Sequence, residues 1–142
     1  MGLTYKIAKC LPVGSTLVCA DNSGAKVLQI IGYSGVQGTR KRRLTGGVGS
    51  VATVVVKKGP DDLLSKKHYA LIVRQKYAYT RKTGLFTGKV RFEDNAAILL
   101  DKDHKPLKNV IKGVVAKEIQ RNKKYSGLNA IYRWVIDITW WI

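Results

Sequence analysis

Two apolar, β-branched runs, Ser15–Ala20 and Lys26–Tyr33, stand on either side of the tight-turn cluster Asp21-Asn22-Ser23-Gly24. Asp, Asn, Ser and Gly favour turns because they bond their own backbone or tolerate positive φ. Apolar runs on both sides of such a cluster predict a β-hairpin. The pattern then repeats. Val48–Lys57 is a Val- and Thr-rich strand, broken by Gly59-Pro60-Asp61-Asp62. Tyr69–Gln75 is a fourth strand, and Lys76–Val90 a basic and aromatic excursion. Phe92–Leu100 is a fifth strand, ended by the turn Asp101-Lys102-Asp103-His104. Short strands at this spacing, with turn residues between them, predict a small barrel or sandwich.

Helical signal is confined to Val114–Lys123, between Gly113 and Gly127. The last residues differ in character. Tyr132, Trp134, Ile136, Ile138, Trp140 and Ile142 recur at period two, which predicts a strand. That strand either packs onto its own barrel or docks a partner protein. No internal repeat or low-complexity linker divides the chain, so one domain over residues 1–130 with an extension over 131–142 is the simplest organisation.

Charge narrows the partner. The 142 residues carry a net charge of +17, from 26 Lys and Arg against 9 Asp and Glu, while 45% are apolar. That apolar content builds a core and argues against a disordered basic tail. The excess charge repels itself, and a polyanion relieves the repulsion. Nucleic acid leads, with an anionic membrane surface as the weaker alternative. No run of about 18 apolar residues is present to span a bilayer, and Met1–Leu11 lacks the apolar stretch of a secretion signal. Cys10 and Cys19 make no disulfide framework and no four-ligand zinc site, which fits a reducing compartment.

Catalytic and cofactor motifs fare poorly. Gly46-Gly47-Val48-Gly49 has a basic loop before it and a strand after it, the wrong context for a phosphate cradle, so a small-residue turn is expected. Gly84–Lys89 is one residue short of a P-loop, and Val90 stands where a Ser or Thr should hold magnesium. His68 and His104 lie beside lysines without metal-ligand spacing. The carboxylate pairs Asp61-Asp62 and Glu93-Asp94 are adjacent in sequence, which on a strand sends them to opposite faces. No enzyme, metal or cofactor is expected.

The basic segments carry the chemistry instead. Arg40, Lys41, Arg42 and Arg43 are consecutive; Lys57-Lys58 and Lys66-Lys67-His68 follow. Arg74, Lys76, Tyr77, Tyr79, Arg81 and Lys82 then interleave cations with aromatics. Such cations neutralise phosphates, and tyrosines stack on unpaired bases. With Lys26 at the start of the second run, these are the candidate RNA-binding residues.

Leu11-Pro12-Val13-Gly14 and Cys19-Ala20-Asp21-Asn22-Ser23-Gly24-Ala25-Lys26 resemble the opening of the large-ribosomal-subunit protein fourteen family (universal L-fourteen). The resemblance continues through Gly47-Val48-Gly49, Ala52-Thr53-Val54, Lys57-Lys58-Gly59, Val73-Arg74-Gln75, Phe92-Glu93-Asp94-Asn95-Ala96, and Gly113 followed by Val115-Ala116-Lys117-Glu118. It is similar to the eukaryotic and archaeal branch. It implies a mainly β fold: a five-stranded barrel, a projecting hairpin and a short helical C-terminal region. It also implies a structural protein at the inter-subunit face of the large ribosomal subunit. The implied partners are large-subunit rRNA, neighbouring ribosomal proteins, small-subunit rRNA at a bridge, and an anti-association factor of the initiation-factor-six type. The implied location is the cytoplasmic ribosome, and the nucleolus during assembly in a eukaryote. Lys117, Arg121, Tyr132, Trp134 and Trp140 are the candidates for protein docking. Three features depart from the family pattern: a longer stretch between Gly84 and Phe92, Val114 in place of the usual Pro, and the continuation past Ala130. The rival reading is a free RNA-binding translation factor or RNA chaperone with an OB-like barrel.

Overall fold

In the computed structural model, residues 9–34, 44–83, 86–116 and 118–119 are described. They form nine strands: β1 (Leu11–Pro12), β2 (Thr16–Cys19), β3 (Val27–Tyr33), β4 (Thr45–Gly46), β5 (Val51–Lys58), β6 (Lys67–Arg74), β7 (Tyr79–Thr83), β8 (Phe86–Val90) and β9 (Ala96–Leu100). Strands β2, β3, β5, β6 and β9 close into a barrel. The expected first hairpin is β2–β3, paired antiparallel with Leu17 opposite Leu28. Closure comes from the parallel pairing of β2 with β9, Val18 opposite Ala96. A closed barrel leaves no unpaired sheet edge. The β7–β8 hairpin stands outside it, with Tyr79 opposite Val90, and β1 pairs with β4.

The turn after β2 is built by Asp21. Its Oδ1 accepts from the Ser23 amide at 3.1 Å, from the Ser23 hydroxyl, and from the Cys19 thiol at 2.9 Å; its Oδ2 accepts from the Leu99 amide at 2.9 Å. One buried carboxylate thus shapes the turn and ties it to β9. The conformation of Gly24, φ +89°, completes the reversal.

Two apolar clusters divide the core. The first fills the barrel with Leu17, Leu28, Ile30, Val54, Val56, Ile72 and Leu99, beside the small Ala52, Ala70 and Ala97. A five-stranded barrel is narrow, and small residues alternating with large ones let its interior close. Each large aliphatic buried there contributes about 1.5–3 kcal/mol of transfer free energy. The second cluster lies on the outer face of β6 and β9, where Leu71, Val73, Ala96, Ile98 and Leu100 meet Tyr79, Phe92, Ile111, Val115, Ala116 and Ile119. The chain after β9 runs back along the barrel to form this layer. Asp21 bridges Ile111, the Lys112 amide donates to the Ala20 carbonyl at 2.6 Å, and the Ala116 amide donates to the Val73 carbonyl at 3.3 Å.

The helix expected over Val114–Lys123 does not start at Val114. Val115 sits in an isolated bridge, and only Glu118–Ile119 form a 3₁₀ turn among the described residues. Gly113 adopts φ +84°, and the following backbone pairs with the barrel rather than with itself. The strand expected over Phe92–Leu100 begins at Ala96, and that expected over Val48–Lys57 begins at Val51, because Val48–Ser50 form a turn. In that turn Gly49 has φ +83° and its amide donates to the Ile72 carbonyl at 2.9 Å. A Cβ on neighbouring Gly46 would fall 2.2 Å from the Tyr33 ring, whose hydroxyl donates to the Leu11 carbonyl at 2.6 Å. The Gly46–Gly49 segment is therefore a packing turn, as its sequence context predicts. The extension at 131–142 lies outside the described residues.

Candidate nucleic-acid interface

One end of the barrel gathers lysines. It comprises the start of β3, the end of β5 and the start of β6, where Val27 faces Lys58 and Val55 faces Lys67. The Lys26 amide donates to the Lys58 carbonyl at 2.8 Å, which brings the first turn onto the end of β5. The Gly59–Lys66 loop folds back over the strand end. The Leu63 and Leu64 amides donate to the Pro60 carbonyl, and the Ser65 amide to the Val56 carbonyl, each at 3.0 Å. Lys26, Lys57, Lys58, Lys66 and Lys67 are all exposed. Lys102 and Lys105 join this end on the turn after β9, also exposed. Sequence reasoning missed these two because their segment, alternating Asp with Lys, reads as a turn. Lysines far apart in sequence thus share one surface, the geometry that meets a run of phosphates. His68 departs from its expected role. Its Nε2 is sealed from solvent with no hydrogen-bond partner among the described residues, so that nitrogen does not face a phosphate.

The opposite end corrects more expectations. Arg74, a candidate RNA contact, is buried. Its Nη1 donates to the carbonyls of Lys112 and Val114 at 3.1 and 3.2 Å, and its Nε lies 3.0 Å from Asp94 Oδ1. It binds the C-terminal segment to the barrel, and Gly113 fits because a Cβ there would lie 2.1 Å from Nη1. Tyr79 is buried too, its hydroxyl donating to Glu118 Oε2 at 2.7 Å, so its ring has no open face for a base. Arg81 grips the same carboxylate, with Nη2 2.9 Å from Oε2 and Nε on Oε1. Burial pushes the Glu118 carboxyl up, but the bonds from Arg81 and Tyr79 outweigh it, and its pKa falls below the usual value. Burial and the Glu118 bond push the Tyr79 phenol well above its usual range.

Gln75, fully buried, accepts from the Val48 amide at 3.0 Å and donates to the Tyr77 carbonyl at 3.1 Å. It splices the glycine turn to the strand end, a role the sequence does not show, since Gln75 stands there as one more polar residue between Arg74 and Lys76. Lys76 and Tyr77 do stay exposed. The backbone of Lys82 pairs opposite Thr87 in the hairpin. Arg40, Lys41, Arg42, Arg43, Lys117, Arg121, Tyr132, Trp134 and Trp140 lie outside the described residues.

Neither cysteine is activated. Burial, then the bond to Asp21, pushes the Cys19 thiol up to about 12, and burial raises Cys10 as well. Neither forms a thiolate at neutral pH. Among the described residues, no three His, Cys, Asp or Glu side chains gather to hold a metal ion, and no helix is long and apolar enough to cross a membrane.

A family profile for ribosomal protein L14p/L23e matches residues 10–132. The large ribosomal subunit protein uL14 of Methanocorpusculum labreanum is 47% identical over 118 residues, covering 83% of this chain and 87% of its own. The protein of the same name from Methanococcus maripaludis is 44% identical over 117 residues, covering 82% and 86%. That from Methanoregula boonei is 41% identical over 114 residues, covering 80% and 84%. The matched span takes in the whole barrel, the lysine end and the Arg74 and Glu118 anchors, and with them the chain belongs to the ribosomal protein L14p/L23e family, whose members are structural proteins rather than enzymes.

Proposed function

We propose that this chain is a resident structural protein of the large ribosomal subunit that holds ribosomal RNA through the lysine end of its barrel. The observation that carries this reading is the convergence of Lys26, Lys57, Lys58, Lys66 and Lys67 on one exposed end of a closed barrel, in a chain whose net charge is +17. Such a platform joins RNA segments by offsetting the repulsion between their phosphates. Family membership supports residence in the particle. The finer assignments belong to the same proposal: a position at the inter-subunit face, contact with small-subunit rRNA at a bridge, and docking of an anti-association factor by the C-terminal region, with Lys117, Arg121, Tyr132, Trp134 and Trp140 as contacts. Arg40–Arg43 add a second basic loop for RNA.

A salt-washed sucrose gradient of cell lysate tests residence. The expected result is co-sedimentation with large subunits after a high-salt wash. Release into the wash would make the chain a factor that visits RNA and would overturn the proposal. For the lysine end, the joint change of Lys57, Lys58, Lys66 and Lys67 to Ala should flatten the salt dependence of RNA affinity, by roughly 0.7–0.9 in log–log slope for each phosphate no longer neutralised. An unchanged slope removes that end from the interface.

A further inference from the structure

The end of the barrel opposite the lysines holds a half-open groove of about 520 Å³, lined by Cys10, Leu11, Lys76, Tyr77, Ala78, Arg91 and Asn95. Its volume lies within the range of about 300–1,000 Å³ common for small-ligand sites. We propose that this groove receives a single unpaired nucleotide of RNA, its base stacked on Tyr77 and its phosphate held by Lys76 and Arg91. The inference rests on the RNA-binding reading above and adds a subsite to it.

The chemistry of the lining selects this occupant. Tyr77 is 63% exposed, the most open of the large hydrophobic side chains described, whereas Tyr79 two residues on is 3% exposed. An aromatic ring left open in a groove that Lys76 and Arg91 also line suits a flat, negatively charged partner. Its backbone is held independently of the ring, since the Tyr77 carbonyl accepts from the buried Gln75. Lys76 and Arg91 are exposed, and Glu93 and Asp94 do not line the groove. Asn95 settles the polarity. Its Oδ1 accepts from the Lys76 amide at 2.8 Å, which leaves its Nδ2 group with no partner among the described residues. With Cys10 kept as a neutral thiol by burial, the polar side chains of the lining are donors to a ligand rather than anions. The phosphate of a nucleotide meets Lys76 and Arg91, and the acceptor atoms that any unpaired base carries can meet the Asn95 Nδ2 group, so the lining suits an unpaired nucleotide without selecting its base.

Two measurements test the groove. Large subunits carrying the chain are irradiated at short ultraviolet wavelength, and nucleotide adducts are mapped by mass spectrometry. Separately, the free full chain is titrated with the octamer rU8. The expected results are an adduct on Tyr77, and a roughly 5- to 150-fold loss of rU8 affinity in Tyr77→Ala, the range a single base stack carries. Tyr77→Phe retains a stacking face and should bind as the parent does, and Arg91→Ala should reduce the salt slope. Adducts confined to the lysine end, or Tyr77→Ala binding rU8 as the parent does, overturn the proposal. Absence of the chain from large subunits would overturn residence instead, and the rU8 titration would still decide the groove.

Discussion

Strands β3 and β9 have inner faces alike and outer faces opposed. Inside the barrel, Leu28 and Ile30 of β3 and Ala97 and Leu99 of β9 share one cluster. Outside, Ile31 of β3 is 46% exposed while Ile98 of β9 is 1% exposed. The same residue type, facing outward from one barrel, meets water in one place and a second core in the other. The difference is made by the chain beyond β9, which returns along β6 and β9 and, with Tyr79 and Phe92, covers their outer face. Among the described residues, then, the barrel has an open side and a clad one whose cladding is fixed by polar anchors. Those anchors absorb Arg74, Tyr79 and Arg81, three residues that the sequence offers as RNA contacts.

The clad side should respond to substitution far more strongly than the open one. Ile98→Ala should destabilise the protein most, by about 2–5 kcal/mol, because it opens a cavity in the outer apolar cluster; chemical denaturation measures it. A cost below about 1 kcal/mol would mean that the outer layer is loosely packed. Gly113→Ala comes next, at about 1–3 kcal/mol, since the new Cβ meets Arg74 Nη1 and the residue must hold φ +84°. Its effect should appear first as faster amide exchange of Ala116, whose bond to Val73 depends on the same segment.

Glu118→Gln probes the polar anchor through pH. The folded carboxyl titrates below its unfolded value, so its contribution is present above the unfolded pKa and is lost as pH falls through the folded one. The parent should therefore lose stability on acidification below about pH 4.5 more steeply than Glu118→Gln, which should cost about 1–2 kcal/mol at neutral pH. Parallel pH profiles for the two would show that the carboxylate contributes nothing to holding the hairpin. The smallest effect belongs to the open side: Ile31→Thr should shift stability by no more than about 0.5 kcal/mol. A larger loss there would mean that this side is covered as well.

Much of the barrel was legible. The hairpin β2–β3 follows from turn chemistry and alternation, both local. The apolar runs Ala70–Val73 and Ala96–Leu100 were legible as strands, but their burial on both faces came only from the structure. The boundary misses are local competitions. Val48 is apolar and β-branched, yet Gly47 and Gly49 make it part of a turn. Val114 follows the helix-start pattern, yet its carbonyl is claimed by Arg74. The lysine end was legible as charge, and the family resemblance identified its context, but the convergence of its members depends on strand register.

Sequence alone determined what depends on neighbours along the chain: the turn at Asp21–Gly24, the strand runs, the positive charge, and the family to which the chain belongs. Tertiary structure decided which cations face outward. Arg74 and Lys76 are two residues apart and chemically alike, yet one is sealed against carbonyls of Lys112 and Val114 and the other lies open beside Tyr77. Those carbonyls arrive from about forty residues away. Backbone groups look the same in every sequence, so their demand for a donor becomes visible only once the chain has folded back on itself.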